Sequence, residues 1–68
     1  MDVSRVRDRI ALIAKRASSD DEQAHALEDD LYRDVLKVIA QTSSDPLART
    51  LAAEAIKTAE IDFERWYA

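Results

Sequence analysis

Residues 19–46 read SDDEQAHALEDDLYRDVLKVIAQTSSDP, and this stretch decides the fold. Its apolar residues Ala24, Leu27, Leu31, Val35 and Val38 return every three or four positions, and Tyr32, Leu36 and Ile39 widen the set. That is the repeat of an α-helix with one face turned inward. At about 100° per residue these side chains cover about half the helix circumference, so the spacing predicts a central helix over 20–42 with more than one neighbour. Ser19 with Glu22 fits a capping box, and Asp20, Asp21 and Glu22 put negative charge at a helix N-terminus. Thr42, Ser43 and Ser44 form the next break. Asp45 then suits an N-cap, and Pro46 suits the first helical position, where its missing N–H has no intrahelical partner anyway.

Working outward, Val3, Val6, Ile10, Ile13 and Ala17 repeat at 3-4 spacing and predict a first helix over 3–17, stopped by Ser18. Downstream, a third helix is predicted over 46–61, with Leu47, Leu51, Ala55, Ile56, Ala59 and Phe63 on its inner side. Ala48, Ala52, Ala55 and Ala59 keep part of that side small, which permits close approach of another helix. The pattern weakens at Ile61–Asp62, leaving two alternatives: a separate short turn over 62–67 carrying Phe63, Trp66 and Tyr67, or continuation of the helix. Breaks this short turn consecutive helices back on one another. The expected fold is all-α: one domain over 1–68, a three-helix bundle of antiparallel hairpins. Homodimerisation is expected too, because so small a chain has little core of its own and the wide central face and aromatic C-terminus offer surface.

Composition narrows the function. The 68 residues contain no Gly and no Cys, one Pro and one His. A phosphate-cradling glycine loop, a disulfide framework, a thiolate nucleophile and Cys-ligated zinc are therefore excluded. No apolar run approaches the roughly 18 residues of a membrane span, and no signal-peptide pattern opens the chain. A cytoplasmic protein without a membrane partner or a cofactor is expected. Nor does the sequence show the nucleophile, pocket or oxyanion donors of an enzyme.

Charge is segregated along the chain. Residues 1–17 hold Arg5, Arg7, Arg9, Lys15 and Arg16 against Asp2 and Asp8, a net +3. Residues 18–34 hold Asp20, Asp21, Glu22, Glu28, Asp29, Asp30 and Asp34 against Arg33 alone, a net −6. The plain reading is a basic helix lying beside an acidic one. Arg5, Arg9 and Arg16 share one side of the first helix with Leu12, but three arginines on a net-acidic chain make nucleic acid an improbable ligand. The sharper reading takes Glu22, Asp29, Asp30 and Asp34 as an exposed acidic face that binds a partner protein. Closely spaced carboxylates of this kind can also stand where a basic groove expects phosphates, so a nucleic-acid mimic is the alternative.

Two further groups stand out. Asp21, His25, Glu28 and Tyr32 recur at 4-3-4 spacing, a polar row along the edge of the apolar arc where a carboxylate needs a partner. Glu22 and His25 also carry the Glu-x-x-His spacing known from carboxylate-bridged metal sites in helix bundles; with a single His, only a dimer completes such a site, and the alternative function is a metal-binding bundle using Glu22, His25 and Glu28 across a dimer. Arg65, Trp66 and Tyr67 combine the residue types that dominate interface energetics and are candidate partner-binding anchors, while Phe63 and Trp66 also suit the closing end of a core.

The strings AHALEDDLYRDVLKVIA (24–40) and LAAEAIKTAEIDFERWYA (51–68) resemble a group of short, functionally uncharacterised bacterial and prophage-associated helical proteins. The resemblance covers residues 23–67, with IDFERWYA its most distinctive part, and leaves the first helix outside. It implies no activity and no catalytic residue. It implies an accessory role in a phage or prophage, for which a small protein–protein interaction module is a natural class.

Overall fold

A computed structural model describes residues 1–61. Among the described residues the chain forms three α-helices and one 3₁₀ helix, with no strand: α1 (Val3–Ala17), α2 (Asp21–Thr42), α3 (Pro46–Ile56) and the 3₁₀ helix Lys57–Glu60. The terminal turn considered for 62–67, with Phe63, Trp66 and Tyr67, lies outside the described residues.

Each α-helix starts on an aspartate. The Asp2 carboxylate accepts from the Arg5 N–H at 2.9 Å, Asp20 from the Gln23 N–H at 3.1 Å, and Asp45 from the Leu47 N–H at 3.0 Å. Each cap satisfies one of the backbone donors that a helix N-terminus leaves without an intrahelical partner. The carboxylates also meet the positive end of the helix dipole, which Asp21 and Glu22 reinforce in the first turn of α2. At the other end of α1, Lys15 and Arg16 sit in the last turn, where cations are favoured.

The cap of α2 corrects the sequence expectation by one residue. Ser19 does not cap this helix; its hydroxyl and its N–H both donate back to the Arg16 carbonyl, and the Ser18 hydroxyl donates to the Lys15 carbonyl at 2.8 Å. Both serines thus close α1, and the charged Asp20 takes the cap that a hydroxyl would fill more weakly. The connection between α2 and α3 is made the same way. The Thr42 hydroxyl returns to the Val38 carbonyl at 2.7 Å, and the Ser43 hydroxyl accepts from the Asp45 N–H at 3.2 Å, aligning the residue that caps α3. No described residue has a positive φ, so these connections need no glycine.

The third helix ends earlier than its sequence pattern suggests, at Ile56 and not at 61. The Lys57 N–H bonds the Glu54 carbonyl, three residues back, which tightens the chain into the 3₁₀ helix. At Ile61 the backbone becomes extended (φ −81°, ψ 125°). Ile56, Thr58 and Ile61 are β-branched and disfavour continued α-helix.

The described residues fall into two compact units, Met1–Tyr32 and 33–61. In the first, Ala24 and Leu31 are buried, and Val6, Ile13 and Leu27 are half-buried. In the second, Ala52 is buried, with Val35, Leu36, Val38, Ala40, Ala48 and Ile56 half-buried. The inner strip of α3 is therefore Ala48–Ala52–Ile56, at i, i+4, i+8. Leu47 and Leu51, expected inside, are 65% and 63% exposed. The strip of Ala48, Ala52 and Ile56 carries the burial, and Leu51 lies about 100° around the helix from Ala52. Val3, Ile10, Tyr32 and Ile39, also expected on apolar faces, are exposed as well.

Two sets of stability measurements follow. Asp20→Ala should cost about 0.5–2 kcal/mol in urea denaturation followed by circular dichroism, whereas Ser19→Ala stays within about 0.5 kcal/mol of the parent. Leu31→Ala should cost about 2–5 kcal/mol, whereas Leu51→Ala, at an exposed position, changes the stability of the folded chain by no more than about 0.5 kcal/mol.

Candidate functional site

The acidic segment occupies the first half of α2. At about 100° per residue, Glu22 and Asp29 fall in one line and Asp30 and Asp34 in another, about 100° further round. The candidate face is therefore two strips of carboxylates with Arg33 between them. Glu22 and Asp30 are exposed, while Asp29 and Asp34, expected to be exposed, are half-buried. Asp29, Asp30 and Asp34, like Arg33 and His25, already take part in interactions within the chain. A charged side chain held against a neighbour loses less entropy when a partner docks, but it must share or surrender its existing contact.

The polar row lies at the edge of the buried strip. His25 and Glu28 are half-buried; Asp21 at the start of the row and Tyr32 at its end are exposed. The metal alternative gains nothing within one chain: Glu22 is exposed, and among the described residues no three His, Asp or Glu side chains gather to hold an ion. On α1, Arg5, Arg16 and Leu12 are exposed, and Arg9 is half-buried and engaged. Arg65, Trp66 and Tyr67 lie outside the described residues.

Sequence reasoning did not anticipate the open groove lined by Ala40, Pro46, Arg49, Thr50, Ala53 and Glu54. Its polar groups are partly spent: the Thr50 hydroxyl donates to the Pro46 carbonyl at 2.9 Å, and the Glu54 carboxylate accepts from Lys57 Nζ at 2.8 Å. The signal for the second contact was present as an i, i+3 Glu–Lys pair. The lining offers no nucleophile paired with a base.

No family model matches the chain, and neither a curated protein nor a solved structure matches it.

The Glu54–Lys57 pair is the site's clearest titration. The hydrogen bond to Glu54, and then its charge, hold the Lys57 ammonium above its ordinary value; Glu60 adds to this and slight desolvation opposes it. Any favourable contribution from the raised pKa is present while lysine is protonated in both folded and unfolded chains, and is lost as pH rises through the folded value. In the open, such a pair adds little to stability. Glu54→Gln should lower the midpoint of the Lys57 titration observed by NMR, with the melting temperature at neutral pH essentially unchanged.

Proposed function

We propose that the protein is a small acidic protein–protein interaction module that binds its partner through the outer face of the first half of α2. The carrying observation is the segregated charge. Seven carboxylates stand against one cation in residues 18–34, with Glu22 and Asp30 exposed on a helix whose start is fixed by the Asp20 cap. A rigid helix holds its charges at set spacings, which favours recognition of a basic surface and speeds encounter with it.

In this reading the helices close as antiparallel hairpins into a bundle, and two copies pair. The module then works in the cytoplasm as a phage or prophage accessory, the role that the resemblance of residues 23–67 implies. Arg65, Trp66 and Tyr67 serve as further anchors. No described helix is long and apolar enough to cross a membrane.

The test is affinity capture from the native host with the parent chain and with Glu22→Lys/Asp30→Lys, bound proteins being identified by mass spectrometry. These two positions are exposed, so helicity should be unaltered. A partner held by the acidic face disappears from the variant and weakens with added salt. A partner set that is the same for both chains overturns the assignment.

A further inference from the structure

A second row runs along α1 beside its half-buried strip. Val3, Arg7, Ile10, Ala14 and Ala17 follow 4-3-4-3 spacing and fall within an arc of about 80°, next to Val6 and Ile13. Val3 is 65% and Ile10 54% exposed, so nothing among the described residues covers this side of α1. On α2, the row Asp21, His25, Glu28, Tyr32 has the same spacing. It is offset in the same rotational sense from its own buried strip, Ala24–Leu27–Leu31. Tyr32, at its end, is 58% exposed. All of these residues belong to one compact unit, Met1–Tyr32.

The hairpin reading of the previous subsection has a geometric consequence. In two antiparallel helices, rows displaced in the same sense from the facing strips come out on the same side. That side then carries an apolar and cationic row from α1 beside an acidic and aromatic row from α2. We propose that it is the homodimer interface, in which α1 of each chain lies on α2 of the other to form a four-helix bundle.

The charges select this pairing. On these rows α1 carries Arg7 and α2 carries Asp21 and Glu28, so α1 against α1 or α2 against α2 sets like charges together, whereas α1 against α2 opposes them in both halves of a two-fold contact. With a three-residue connection (18–20), Arg7 comes roughly level with Tyr32 and one turn from Glu28. Its guanidinium therefore meets a carboxylate and an aromatic ring of the partner chain. The small Ala14 and Ala17 come level with His25 and Asp21, which gives the wider half of one row room against the narrower half of the other.

The proposal rests on the hairpin and homodimer parts of the functional reading, not on the acidic face, which points elsewhere on α2. Glu22→Lys/Asp30→Lys can therefore lose capture and remain a dimer.

Sedimentation equilibrium on the full chain tests it. The parent is expected to dimerise at micromolar concentrations. Ile10→Asp and Arg7→Glu, at positions outside the buried strip, should each weaken the dimer by more than about tenfold while circular dichroism shows helicity retained. Glu28→Arg should do the same through Arg7. Arg7→Glu mixed with Glu28→Arg should form a heterodimer, because each contact in the mixture again joins opposite charges. A parent that stays monomeric, an Ile10→Asp variant that dimerises as the parent does, or a mixture that does not associate overturns the proposal. So does a monomeric parent that begins to associate when Phe63 and Trp66 are replaced by Ser, since the chain's own C-terminal segment would then be the occupant.

Discussion

The structure depends on one recurrent bond, an aspartate carboxylate accepting a backbone N–H at the start of a helix. A chain without glycine has no inexpensive route into left-handed backbone, and none of its described residues goes there. Its helix ends and connections are built from side chains. Asp2, Asp20 and Asp45 begin the helices, while Ser18, Ser19 and Thr42 return their hydroxyls to the carbonyls of the turn just ended. The length of each helix, and hence which side chains share a face, follows from where these short bonds form.

What the caps delimit is thinly packed. Only Ala24, Leu31 and Ala52 are buried among the described residues, and two of the three are alanines, which withdraw little apolar surface. Large side chains such as Leu47, Leu51, Ile10 and Val3 remain in solvent. A helix gains most of its stability from packing an apolar face, so a chain that leaves such faces open has a physical reason to associate.

Helix type and placement were legible in the sequence. The 3-4 repeat of Val3 to Ala17 marks α1, and the Asp45–Pro46 pair marks the start of α3, because both are local signals. The one-residue error at Ser19 came from two adjacent residues competing for one cap, decided by charge and by the hydroxyl's alternative acceptor at Arg16. The early end of α3 was less legible, since β-branching at Ile56, Thr58 and Ile61 acts against a hydrophobic pattern that continues to Phe63. Burial on α3 was misread for a related reason. Hydrophobicity favours Leu47 and Leu51 as inner residues, but Ala52 is the residue of α3 that is buried. In the candidate site the composition of the acidic segment was plain. The half-burial of Asp29 and Asp34 was not, because it depends on neighbours that no spacing rule supplies.

The caps also bear on the order of events in folding. Each joins groups two or three residues apart, so a helix start can form as soon as its own segment exists, with almost no loop to close. Segments of this length are only marginally helical alone, so they fluctuate until a neighbour arrives. Secondary structure and docking then run on separate clocks: the first is quick and set by a few adjacent residues, and the second waits for apolar faces to meet.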